Sequence, residues 1–303
     1  MRAIRAWGQQ IRESSSAQGV LLVLPAFGWM LVFLILPILL ILILSFAWRG
    51  QYGPVDWGSS LSEFLDRLSL DSYVRLVDPL YLEVLWTSLR MAAVTTGICI
   101  LVGYPVAYFL ARSQGRLRSL LLFLLLVPFW TNFLIRIYAW MILLRTHGLL
   151  NRALVGIGLL SEPVTVMYTP TAVMIALVYE FLPFMVLPLF TSLEKIDAHL
   201  FEAASDLYAR PARTFWRVTL PLSLPGVIAG TILVFVPTMG MFVVPDLMGG
   251  ARTALVGNLV RQQFLSARDW PFGSAASMVL MLLTLVATLI YTRVSGFGEE
   301  LAV

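Results

Sequence analysis

Long apolar runs separated by shorter polar stretches set the rhythm of this chain. Six runs reach the roughly 20 residues that a helix needs to cross the hydrocarbon core of a bilayer: 20–47, 84–111, 118–144, 170–192, 221–245 and 273–294. A bilayer offers no water to free backbone groups, so each run is expected to be a helix. Prolines inside them, Pro105, Pro128, Pro183, Pro188 and Pro237 among others, are tolerated where neighbouring helices re-satisfy the backbone. The pattern predicts an all-α, polytopic integral membrane protein with six transmembrane helices. A short N-terminal segment, 1–19, would precede one membrane-spanning domain over 20–303. The apolar stretch 148–160 is too short to cross, and is expected to lie along the outer face or to form a small helix.

The first run follows Arg2, Arg5 and Arg12 and is longer than the 7–15-residue apolar core of a cleaved signal peptide. It reads as an uncleaved first span. Orientation comes from the loops, because Lys and Arg are retained on the cytoplasmic side. Arg112, Arg116 and Arg118 crowd the turn between the second and third runs, and Lys195, Arg210, Arg213 and Arg217 follow the fourth. These mark one side as cytoplasmic, with both termini on it. The connection 50–83 carries Asp56, Glu63, Asp66, Asp71, Asp78 and Glu83 against Arg67 and Arg75, and falls outside. Arg145, Arg152, Arg252, Arg261 and Arg268 run against the rule; the densest clusters in the shortest loops decide it.

Composition narrows the function. Of 303 residues, 59% are hydrophobic and 13% charged, half the share of about a quarter found in soluble domains. A net charge of +4 makes no case for nucleic acid. Cys99 is the single cysteine, which excludes an internal disulfide and a cysteine-based zinc cage. His147 and His199 fall on opposite sides and cannot share a metal. The sequence has no phosphate-binding Gly-x-x-x-x-Gly-Lys-Ser/Thr, and its apolar runs hold no His-rich, paired-carboxylate or Cys-based constellation, so no catalytic residue is assigned. A secondary transporter working alone would favour matched internal repeats with broken helices, and no clear pair is present.

The most informative stretch is the polar island 193–220. Leu200, Phe201, Ala204 and Leu207 recur at helical spacing while Glu202, Ser205 and Asp206 take other faces, which predicts a short amphipathic helix. Pro211 stops it or opens the next helix. Ala203 and Ala204 would let a partner approach closely, Phe201 and Leu207 would be apolar anchors, and Glu202 and Asp206 could pair with partner cations. An ordinary connecting loop could show the same pattern. Glu202-Ala203-Ala204, followed by small residues and Leu220-Pro221, resembles the EAA loop of ATP-binding-cassette importer permeases, the coupling element that docks on the ATPase. That family usually has glycine where Tyr208 stands. Glycine permits a positive φ, so Tyr208 must either adopt a strained turn or let the helix run on.

The resemblance covers nearly the whole chain. Stretches 126–138, 182–189, 237–242, 246–251 and 268–273 resemble those of spermidine/putrescine importer permeases, the first of the two permease subunits in particular. This implies the type I importer architecture in a bacterial inner membrane. It implies a second, homologous permease, two copies of an ATPase subunit that would hold ATP and Mg, and a periplasmic substrate-binding protein. No cofactor is implied on this chain. Related permeases carry ferric iron, thiamine or opine-like amines, which stay open as alternatives.

A path for a polyamine needs polar groups inside the membrane, and ionisable residues there are expensive and face the interior. Glu180 and Arg136 are the clear candidates. Acidic and aromatic groups suit an amine through charge and cation–π contact, so Tyr179, Glu180, Phe184, Met239, Phe242 and Asp246 are candidate lining residues, with Trp130 and Tyr138 beside them. The other reading is that Arg136 and Glu180 pair and hold helices together. Gly226 and Gly230 form a small-residue face expected at the permease–permease interface, and Pro237, Gly240 and Pro245 would let the fifth span bend.

Overall fold

The computed structural model describes residues 15–50, 53–57, 61–66, 68–250 and 253–294. Arg2, Arg5, Arg12, Arg67, Ala251 and Arg252 lie outside the described residues. Among the described residues every regular element is helical, and six helices are long and apolar enough to cross a membrane.

The first crossing, α1, joins Ser15–Met30, a π turn at Leu31–Ile35 and Leu36–Leu44. Two short helices follow, α2 (Leu61–Asp66) and α3 (Asp71–Leu76). The second crossing, α4 (Pro79–Arg112), begins earlier than the apolar pattern suggests. Asp78 caps it, accepting from the Leu80 N–H at 2.9 Å, and Pro79 suits the first turn, where no N–H is needed. The third crossing comes in two halves, α5 (Gly115–Leu126) and α6 (Phe133–Leu144), separated by a 3₁₀ turn at Val127–Trp130. The apolar helical stretch continues in composition to Gly156, but the chain turns back where the Gly148 N–H meets the Arg145 carbonyl at 2.7 Å. Beyond it the stretch 148–160 forms a small helix, α7 (Leu149–Gly156).

The fourth crossing is α8 (Pro170–Glu194), capped by Thr169. Then come α9 (Ala198–Asp206) and the fifth crossing, α10 (Pro211–Gly240), which contains a π turn at Phe215–Thr219. This crossing lies about a turn or more earlier than the expected 221–245. Pro211 opens it, Met241 leaves helical geometry at ψ 130°, and Pro245 belongs to a separate short helix, α11 (Val243–Met248). Helix α12 (Val256–Gln262) and the sixth crossing, α13 (Trp270–Val294), complete the chain.

Three crossings, α4, α8 and α10, form the core. Apart from Glu180, helix α8 is apolar almost all round, and it is the most enclosed, with Val173, Leu177, Met185, Val186 and Leu189 fully buried; a helix apolar all round belongs at the centre of a bundle. Glycines let its neighbours come close. A Cβ at Gly226 would lie 2.7 Å from the Pro188 carbonyl oxygen, and one at Gly230 would lie 3.2 Å from the Met185 Cα. The small-residue face therefore seats α10 against α8 of the same chain, which corrects its expected place at the interface with a second permease. Tyr104 on α4 and Ser223 on α10 share a buried hydrogen bond of 2.7 Å. The Leu36–Leu44 part of α1 packs on α13, and much of α1 keeps its apolar side chains exposed, as a lipid-facing helix can.

The two ends of the bundle differ. At one, Arg75 meets the buried Asp269 at 3.0 Å with Arg49 at 4.0 Å, and Arg261 pairs with Asp246. Several arginines on the side expected to be external are thus matched by carboxylates, which blunts their weight as topology signals. At the other end lie Arg112, Arg118 and α9.

Candidate coupling loop and solute path

Helix α9 is defined at both ends by its own sequence. Asp197 caps it, accepting from the His199 N–H at 3.0 Å, and His199 Nδ1 lies 3.0 Å from Glu202 Oε2. It stops because Tyr208 takes the left-handed conformation, φ 54°. There the Tyr208 N–H reaches the Ser205 carbonyl at 2.9 Å and the Ala209 N–H reaches that of Ala204 at 3.0 Å. Of the two options open to a non-glycine residue, the chain adopts the strained turn, at a cost on the order of 1 kcal/mol.

The helix has an inward and an outward side. Ala204 is buried, and Phe201 sits half-buried with the Arg112 guanidinium 4.1 Å from its ring centre. Phe201, Tyr108, Leu193 and Thr219 line a cleft of about 210 Å³. Ala204 and Phe201 therefore fasten α9 to its own chain, which corrects their reading as partner-facing groups. Glu202, Ala203 and Asp206 face outward. Leu207 and Tyr208 stand out furthest, 82% and 95% exposed.

The third crossing runs antiparallel to α8 and is joined to it by side-chain pairs. From one end to the other these are the Arg118–Glu194 ion pair, the Phe129–Phe184 rings at 5.1 Å, Arg136 Nη2 to Glu180 Oε1 at 2.7 Å, and the Trp140–Tyr179 rings at 5.3 Å. Arg136 also donates through Nη1 to the Pro128 carbonyl at 2.8 Å. Tyr179, Glu180 and Phe184 are thus occupied by the third crossing rather than open to a solute, and Arg136 and Glu180 pair. Met239 is fully buried in α10 and lines no open path in this structure, contrary to expectation.

The remaining candidates separate into two places. Asp246 accepts from Asn258 Nδ2 and pairs with Arg261, whose guanidinium lies 5.7 Å from the Phe242 ring centre. Phe242 and Arg261 border a cavity of about 360 Å³ at that end. Trp130 and Tyr138 instead point away from the bundle at the third crossing, with Trp130 81% exposed. Next to Trp130 stand Thr131 and Asn132, both exposed. Sequence reasoning missed them. The signal available was a Thr-Asn pair, both turn and cap formers, in the middle of an apolar run.

Six crossings around α8, with a short polar helix clasped to one end between the fourth and fifth, make an importer permease of the type I architecture. The fold superposes with TM-score 0.69 on a chain of a bacterial alginate ABC transporter solved with an alginate pentasaccharide-bound periplasmic protein, covering 95% of this chain and 96% of that one at 16% identity. Residues 99–296 match the family of binding-protein-dependent transport system inner membrane components, and the chain belongs to that family. It is 49% identical to the spermidine/putrescine transport system permease protein PotB of Escherichia coli (strain K12), over 88% of this chain and 94% of that one. It is 48% identical to the protein of the same name in Salmonella typhimurium (strain SL1344), over 94% and 96%.

Proposed function

We propose that the chain is a permease subunit of an ATP-driven importer in the inner membrane and forms half of the path for the polyamines spermidine and putrescine. The observation that carries this reading is the near full-length identity with two relatives that bear that solute in their names. The fold supplies the rest of the support. Helix α9 offers an outward row, Glu202, Ala203, Asp206, Leu207 and Tyr208, suited to grip an ATPase. Two ATPase copies would carry ATP and Mg, and this chain would carry no cofactor. A homologous second permease would complete the path, and a periplasmic binding protein would deliver the solute. An even number of crossings, with α9 on the cytoplasmic side, supports a reading in which both termini are cytoplasmic.

Uptake by the reconstituted complex tests the reading. Labelled spermidine should accumulate only with ATP and the binding protein, and putrescine should compete while ferric iron and thiamine do not. Competition by iron or thiamine alone would assign a different solute, and ATP-independent uptake by this chain without partners would make it a secondary transporter.

A further inference from the structure

Halves α5 and α6 of the third crossing hold 12 residues each, about 18 Å apiece at 1.5 Å per residue. Neither alone crosses a hydrocarbon core of about 30 Å, so the break at 127–132 lies near the bilayer midplane. Thr131 and Asn132 there have extended backbone and exposed side chains. Irregular backbone does not face lipid at that depth; it persists where it is enclosed by protein or lines water.

The groups at the break are arranged with a definite polarity. The Thr131 hydroxyl donates to the Pro128 carbonyl at 2.7 Å, which leaves its oxygen lone pairs free. Asn132 Oδ1 accepts one N–H, from Leu134 at 2.8 Å, and retains capacity for another. Trp130 presents an indole face, and such a face attracts cations. The Arg136 cation just behind is drawn inward by Glu180 and the Pro128 carbonyl. What remains toward the outside includes two oxygen acceptors and the Trp130 π-face, beside the Asn132 amide and indole N–H donors, with no uncompensated cation.

We propose that this break lines the solute path and contacts the ammonium groups of the transported amine through Thr131 Oγ1, Asn132 Oδ1 and the Trp130 ring. The site rests on the polyamine reading above and deepens it.

Thr131→Cys and Trp130→Cys, each assembled with companion permease, ATPase and binding protein in vesicles, test the site with a membrane-impermeant cationic thiol reagent. Leu124→Cys on α5 is the lipid-side comparator, and the unsubstituted chain reports on the buried Cys99. Both break positions should label at least about tenfold faster than Leu124→Cys, because the reactive thiolate needs water. Spermidine with binding protein and ATP should slow that labelling. Labelling no faster than the comparator at any stage of the ATP cycle, or cross-linking of both positions to the companion permease, overturns the site. So does labelling that spermidine leaves unchanged while spermidine uptake is normal. Failure of the unsubstituted complex to take up spermidine refutes the polyamine reading instead, and its uptake measured in parallel separates the two failures.

Discussion

Arg136 brings a positive charge to the middle of the third crossing, and two oxygens answer it: Glu180 Oε1 from α8 and the Pro128 carbonyl freed by the helix break. Both side chains are about one-tenth exposed, 11% and 12%, so neither charge has water to fall back on. Removing one partner of such a pair costs about 3–5 kcal/mol, whereas replacing both with apolar groups of similar size is often neutral. Glu180→Gln should therefore lower the melting temperature of the purified complex, and Glu180→Met combined with Arg136→Met should recover most of the loss. If the double variant melts as low as the single one, the pair is not the staple described here. Tyr208 presents the opposite situation. Its φ of 54° opposes intrinsic preference, and its 95% exposed ring gains nothing from its own chain to offset that strain. Under the proposed coupling, the ring would stand with Leu207 at the tip of the row that meets the ATPase, where a partner contact would offset the strain.

At the scale of elements, the packing of α8 with α4 and the glycine-faced α10 fixes the geometry of the permease. Gly226 approaches the Pro188 carbonyl so closely that one added methyl must push backbone. Gly226→Ala should cost about 1–3 kcal/mol of stability, since overpacking outweighs the gain in helix propensity. Gly28→Ala on α1, where a Cβ meets nothing within 4 Å, should be neutral or slightly stabilising. Equal melting temperatures for the two variants would show that α10 does not depend on this contact. The same glycines show what could be read in advance. Apolar runs longer than a membrane is thick announce helices whatever they pack against, so the crossings were legible. The destination of the Gly226–Gly230 face was not, because a small-residue stripe fits a helix of the same chain as well as one of another. Asp78-Pro79 and Arg210-Pro211 moved two helix starts outward, since a cap and a first-turn proline outweigh the hydrophobic boundary. In the candidate path, the ionisable pair Arg136–Glu180 was visible as residues that need partners. That Tyr179 and Phe184 would be covered, and Met239 enclosed, depends on rotation about helix axes, which a nearly all-apolar helix does not encode.

At the scale of the whole molecule, α9 is bound to the core in a way that suggests how force would pass. It is continuous with α8 and α10 through short turns at 195–197 and 207–210, and Phe201 keys it to α4 beneath Arg112. A push on α9 is thus delivered to the three core helices together. The third crossing is tied to α8 alone among them by named side-chain pairs, separate from the contacts of α9. This division separates two kinds of variant in and just beyond one nine-residue helix. Glu202→Lys and Tyr208→Ala alter the outward row, so the ATPase should be lost from the purified complex or bound weakly. Phe201→Ala alters the inward key. The ATPase should still co-purify and hydrolyse ATP, while spermidine uptake per ATP falls, because the helix can now yield instead of transmitting. Measuring ATPase content, hydrolysis and uptake on the same preparations checks both halves. Loss of the ATPase with Phe201→Ala, or its full retention and normal uptake with Glu202→Lys, would mean that the two faces of α9 have been assigned the wrong way round.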